Sequence, residues 1–401
     1  MSLDVDRIRS SFPALSQGVA YFDGPGGTQT PREVADAIAA TMTAGLSNHG
    51  TVTAAERRAE EAIVAARSAV ADLVGCRADG VVFTRSATQA AYDVSRALAK
   101  RWGRGDEVVV SRLDHDANIR PWVRAAEASG ATLRWIEFDR DTAELTVADV
   151  AAQLSPRTRL VALTGASNLL GSRPDLPAVA EAVHAVPGAL LYVDGVHLTP
   201  HAPIDVAELG ADFFACSPYK FFGPHHGVVV ADPALLEELH PDKLLPSSDA
   251  VPERFELGTL PYELLAGTTA AVDFIAGLAG SEGSRRQRVL TSMRAVEEHE
   301  DELFTHLLDG LSAVGGVTLH GSPKRRTPTA LFSVAGHTGQ QVYEHLAGLD
   351  VNAPASSFYA LEASRWIGLG DDGAVRAGLA PYTSTEDVDR LVAGVAALAG
   401  R

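Results

Sequence analysis

The sequence predicts an α/β layered fold, and three observations carry that prediction. The first is a set of seven short apolar runs between residues 81 and 232: "VVFTRSA", "EVVVSRLDH", "LRWIEFD", "RLVALTGAS", "ALLYVDGVH", "DFFACSPYK" and "GVVVAD". Their near-continuous Val, Leu, Ile and Phe content indicates strands buried on both faces, as in a mostly parallel seven-stranded sheet. The second is what lies between them. Stretches such as "AAERRAEEAIVAARSAVADLVG" and "RPWVRAAEASG" have helical periodicity and close on Gly, a C-cap signal. Strand and helix in alternation place helices on both faces of the sheet. The third is a change of texture after about residue 270. A long helical region, "SRRQRVLTSMRAVEEHEDELFTHLLDGLSAV", precedes strands at "VTLHG" and "TALFSVAG" and helices at "TGQQVYEHLAGL" and "STEDVDRLVAGVAALAG", which reads as a smaller α+β domain. The expected organisation is a large domain over 21–270 and a small C-terminal domain over 271–401. An N-terminal segment, 1–20, is expected to pack on the small domain or a partner.

Bulk composition bounds the function. With 401 residues, 46% hydrophobic and 21% charged, the chain has the material for more than one core. Its net charge is -17, from 51 acids against 34 bases, which argues against a nucleic-acid partner. The two cysteines, Cys76 and Cys216, form neither a disulfide framework nor a metal-ligand cluster, and the count suits a reducing cytoplasm. The opening "MSLDVDRIRSSFPAL" lacks an apolar signal core, and no apolar run approaches the ~18 residues of a membrane span.

In open α/β sheets, ligands bind at the carboxyl ends of the strands. The polar residues that end the apolar runs are Ser86 and Thr88, His115, Ser167 and Asn168, Asp194 and His197, and Ser217 and Lys220. Lys220 stands out because the chain has four lysines, Lys100, Lys220, Lys243 and Lys324, and otherwise uses arginine for positive charge. Placed among Pro218, Tyr219, Phe221, Phe222 and Pro224, it is poorly suited to surface charge. An amine can lose its proton and attack a carbonyl, as a guanidinium cannot, so a Schiff-base lysine is indicated. Asp194 follows five apolar residues, and a carboxylate there needs a cationic or donor partner. The strand–turn–helix at "FTRSATQAAYDVSRAL" brings helix-start amides and a hydroxyl together, which makes an anion site at Ala87 and Thr88. His115 ends another strand and is a flat group available for stacking. A lysine amine, a carboxylate, an anion site and a flat partner are what pyridoxal 5'-phosphate asks of a protein.

Taken in order, "YFDGPGGTQTP", "FTRSATQAA", "SRLDHDANIRPW", "GASNLLG", "YVDGVH", "DFFACSPYKFFGPHHG", "RFELGT" and "VRAGLAPYTSTEDVDRL" resemble the class V aminotransferase and cysteine desulfurase superfamily of fold-type I pyridoxal-phosphate enzymes, over nearly the whole chain. Within it, the sequence is most similar to the cysteine desulfurase-like subgroup. The resemblance implies that Lys220 carries the cofactor and Asp194 pairs with its ring nitrogen. It implies that His115 stacks on the ring and moves protons, that His197 lies near the ring hydroxyl, and that Asn168 lies near ring and substrate. Thr88, Ala87, Ser217 and Tyr219 would hold the phosphate, and Thr259 would reach it from the other subunit of a homodimer with shared sites. Arg376 would clamp the substrate's α-carboxylate, a task for a bidentate guanidinium, and Gly27 would lie close to the substrate.

Two departures stand out. Tyr219 precedes the lysine where desulfurases commonly have His. The loop that carries the desulfurase nucleophile reads "VNAPASSFYALEASRWIGLG", with no cysteine. The expected function is therefore a pyridoxal-phosphate enzyme acting on an amino acid or amine, with transamination, elimination and racemisation all open and persulfide formation disfavoured. A non-catalytic binding or regulatory protein on the same fold is the alternative. A nicotinamide dehydrogenase is not supported, because no GxGxxG follows a strand and "GPGG" at 24–27 reads better as a tight loop.

Overall fold

The seven apolar runs form one sheet. In the computed structural model, which describes residues 3–280 and 282–400, the strands in chain order are β1 (Ala20–Tyr21), β2 (Val81–Thr84), β3 (Glu107–Ser111), β4 (Thr132–Ile136), β5 (Thr158–Thr164), β6 (Leu190–Asp194), β7 (Phe213–Cys216), β8 (Gly227–Ala231), β9 (Val317–His320), β10 (Thr329–Val334), β11 (Val351–Asn352), β12 (Ala355–Ser356) and β13 (Ala374–Gly378). The large sheet has the order β2-β8-β7-β6-β5-β3-β4. All neighbours are parallel except β8, which runs against both β2 and β7. The side-chain period of two divides each strand between the two faces. Val109, Val161, Leu163, Leu191, Val193 and Phe214 enter one core, while Val108, Val110, Leu160, Ala162, Tyr192 and Phe213 enter the other. Burial on both faces is why the runs read as continuous apolar sequence.

Register gathers the strand ends. Thr164 of β5 pairs with Asp194 of β6, which pairs with Ala215 of β7. The loops that follow therefore open on one edge of the sheet. Antiparallel β8 begins at that edge, where Gly227 lies opposite Thr84. A Cβ on Gly227 would lie 2.4 Å or less from Ser86 C and Ala87 N, so glycine lets this strand pass under the turn that starts the helix Ala87–Ala99.

A third core holds the C-terminal region together. It packs Leu303 and Leu307 of the helix Arg285–Ser312 and Leu391 and Val395 of the helix Thr385–Ala399 against Phe332, Val375 and Ala377. The sheet beneath is antiparallel, ordered β12-β13-β10-β9. Both helices start in capping boxes, Ser284 with Gln287 and Ser384 with Asp387, which satisfy first-turn amides.

The N-terminal segment touches both halves of the molecule. Phe12 meets Phe222, Phe274 and Tyr382 edge-on or tilted, Arg9 pairs with Asp387 at 2.7 Å, and Arg7 donates to the carbonyl of Leu278 at 2.6 Å. Parallel pairing of β1 with β11, and the bond from Gly378 N to Phe22 O at 2.8 Å, then bring Asp23 alongside β13. Among the described residues, no helix is long and apolar enough to cross a membrane.

Candidate active site

A cavity of about 630 Å³ opens at the strand-end edge. Lys220, Asp194, His115, Ala87, Thr88, His197, Ser217, Tyr219, Asn168 and Arg376 all line it. Three residues singled out from sequence do not, and the first, Ser167, is fully buried with its hydroxyl accepting from the amides of Leu169 and Leu170. Gly27 lines a smaller adjoining cleft that shares Asp23, Gly26 and Tyr219 with the cavity, and Thr259 lines a separate one with Phe83, Arg85 and Leu260.

Lys220 ends the short helical turn Pro218–Lys220 that follows β7. It is 8% exposed, and its Nζ donates to the carbonyl of Pro25 and lies 4.9 Å from the Tyr219 ring centre. Burial, reinforced by the nearby Arg376 charge, pushes its amine down to about 7. A substantial share of the amine is thus unprotonated, and nucleophilic, at neutral pH.

Asp194 is the last residue of β6. Its Oδ1 accepts from Val196 N at 3.0 Å, and burial raises its carboxyl to about 6 against the opposing pull of that amide and Lys220. His115 caps the turn Asp116–Asn118, its Nδ1 accepting from Ala117 N at 3.0 Å. That bond puts the ring proton on Nε2. Burial, aided by Lys220, lowers the imidazole to about 4, so His115 is neutral across the physiological range. The Ser86 side chain caps the next helix by accepting from Gln89 N at 3.0 Å, which leaves the first-turn amides at Ala87 and Thr88 without intrahelical partners. His197 turns its Nε2 to the hydroxyls of Thr327 and Thr329, 3.0 Å from each, and leaves its buried Nδ1 as the nitrogen without a partner.

Arg376, on β13, is 1% exposed. Its Nη1 donates to Asn168 O at 2.9 Å, its Nη2 pairs with Asp23 Oδ1 at 2.6 Å, and the Phe358 ring lies 3.7 Å from the guanidinium. Phe358 and Tyr359 are consecutive non-glycine residues at φ 51° and 59°, a costly conformation held by cavity-wall groups. Asn168 Nδ2 donates to Phe358 O at 2.9 Å, and Asp116 N donates to Tyr359 O at 2.7 Å. The Tyr359 ring stacks on His115 at 5.5 Å.

The family model described as aminotransferase class-V matches residues 20–391. This chain belongs to the class V aminotransferase family. Similar sequences include an uncharacterized protein of Mycobacterium tuberculosis, 36% identical over 99% of this chain and 100% of that one. A second is an aminotransferase-like protein of Gibberella zeae, 31% identical over 98% and 97%. Among solved structures, a cysteine desulfurase from Thermococcus onnurineus superposes with a TM-score of 0.89 at 25% identity, covering 100% of this chain and 99% of that one. The fold is fold-type I, as the sequence implied, and the cofactor of this class V family member is pyridoxal 5'-phosphate.

The residues present fit that cofactor: a buried lysine amine held near neutrality, a strand-end carboxylate with one amide donor, a neutral imidazole, and a helix start on the cavity wall. Among the described residues, none on the cavity wall of this class V protein carries sulfur. Cys216 is fully buried inside β7, with its thiol pushed up by desolvation, and Cys76 is pushed up to about 12 by burial below the helix Ala54–Val74.

Sequence reading missed three residues. Asp23 sits in the quoted "YFDGPGG", but nothing in its neighbours reveals an arginine 353 positions away. Asp114, the residue before His115, is fully buried, bonded to Ser111 and to Asn118 Nδ2 (2.7 Å), with burial raising it to about 8. Its place beside a strand-end histidine was the available signal. Phe358 covers Arg376 from a loop whose sequence signals only a missing cysteine.

Proposed function

We propose that the protein acts on α-amino acids by removing the α-proton, as an aminotransferase- or lyase-type enzyme, and that it does not form a persulfide. The observation that carries this reading is the single cavity joining Lys220, Asp194, His115 and Arg376 with no thiol on its wall. Pyridoxal 5'-phosphate, when bound, supplies the electron sink. Lys220 would carry it and, once released, move the α-proton. Asp194 would hold a proton on the ring nitrogen, and that pairing would return its carboxyl to the ionised form despite burial. His115 would lie against the ring and present its Nε2–H. The free amides at Ala87 and Thr88 would take the phosphate with Ser217. Arg376 would hold the α-carboxylate. Phe358 and Tyr359 line the cavity on the loop that lacks the thiol, and their side chains cannot accept sulfane sulfur. A homodimer, with Thr259 serving the partner's site, completes the proposal. The test is to mix purified yellow enzyme with a panel of amino acids and keto acids, following the visible band and product masses. Amino-acid-dependent spectral change with keto-acid or elimination products is expected. Silence toward every amino acid would overturn the assignment in favour of a binding protein.

A further inference from the structure

Both two-nitrogen edges of a guanidinium share one atom. A carboxylate docks with two parallel bonds either on Nη1 and Nη2 or on Nε and Nη2. In Arg376, Nη2 is already held by Asp23 Oδ1 at 2.6 Å, Nη1 is committed to Asn168 O at 2.9 Å, and buried Nε has no partner. One face is covered by Phe358. A substrate carboxylate on the Nε–Nη2 edge would use the second N–H of Nη2 and so share that buried nitrogen with Asp23, setting two like charges against each other.

We propose that Asp23 is a specificity-determining residue, a displaceable counter-ion that a substrate's α-carboxylate must push off Arg376. The inference rests on the reading of Arg376 as the carboxylate site. Asp23 is placed for this. It lines the cavity and its side chain is 34% exposed, whereas Arg376 is buried, so the carboxylate is the mobile partner. It sits at the head of a glycine turn, with the amides of Gly26 and Gly27 bonded to its own carbonyl at 2.9 and 3.0 Å, while its side-chain oxygens crowd the space where a Cβ on Gly26 would lie, within 2.5 Å. An incoming carboxylate on the Nε–Nη2 edge replaces one bond by two and satisfies the orphaned Nε–H. The displaced Asp23 then leaves a negative charge in the cavity. A zwitterionic amino acid brings an ammonium group for that charge, and a plain carboxylate does not. Asp23 thus admits amino acids and rejects simple acids.

The test is calorimetric binding of propionate and of alanine to the holoenzyme and to Asp23→Asn, with Asp23→Ser as the second variant should the first fold poorly. Asparagine keeps the shape and an acceptor but removes the charge. Propionate is expected to bind roughly tenfold or more tightly to either variant than to wild type, because a charged hydrogen-bonded pair no longer has to be broken. Alanine should gain less, or lose. Propionate affinity unchanged or weakened in both variants would overturn the proposal. If wild type ignores alanine while the variants still gain propionate, the counter-ion role stands and the amino-acid function fails.

Discussion

Lys220→Met should stabilise the cofactor-free protein, and by an amount that depends on pH. Methionine fills the same volume without a charge. In wild type, the amine falls from an ordinary 10.5 to about 7 on folding. At 1.36 kcal/mol per pH unit, that gap corresponds to a cost of about 5 kcal/mol for keeping the group protonated in the folded state. The sign follows from proton counts. Between pH 7 and 10.5 the unfolded chain binds more protons at this residue, so wild-type stability rises with pH across that window. The cost is fully present below pH 7 and absent above 10.5. Removing the amine also loses its bond to the Pro25 carbonyl, worth about 1 kcal/mol when the amine is neutral. The variant should therefore gain about 2–4 kcal/mol at pH 6 and within about 1 kcal/mol of nothing at pH 10.5. Urea unfolding of both cofactor-free proteins at pH 6, 8 and 10 measures it. A difference that does not change with pH would refute the claim that a buried, disfavoured charge is stored at Lys220.

Asp194→Asn should retain the cofactor but slow α-proton exchange by several orders of magnitude, measured by deuterium wash-in; near-normal exchange would make the carboxylate structural. Arg376→Ala should keep visible absorbance, weaken amino-acid binding roughly a hundredfold and leave simple amines nearly unchanged, as read by spectral titration. Incubation with cysteine without reductant should give no protein-bound +32 Da adduct by intact mass. A stoichiometric adduct that disappears in Cys216→Ser would make that buried thiol the nucleophile.

What could be read from the sequence was what repeats locally. The strands of the large sheet announce themselves because both faces are buried, and the polar residue ending each run falls at the cavity because parallel register aligns the ends. The helices of the C-terminal region were legible from their period and caps, and β9 and β10 from their apolar runs, but the strands that follow were not. β11 and β12 are two residues each, too brief for any alternation to register, and β13 was recognised only through the resemblance. Long-range pairing was invisible. Asp23 and Arg376 meet because β1 pairs with β11 and Phe22 bonds Gly378, contacts fixed by the fold and not by neighbouring residues. The two left-handed residues Phe358 and Tyr359 likewise have no sequence signal, since neither aromatic favours that conformation.

That Lys220 carries the cofactor is tested by borohydride reduction followed by peptide mapping. Reduction fixes the cofactor to whichever lysine holds it. The pyridoxyl mass is expected on the peptide containing Lys220, the lysine on the cavity wall. A label on Lys100, Lys243 or Lys324 instead would contradict it.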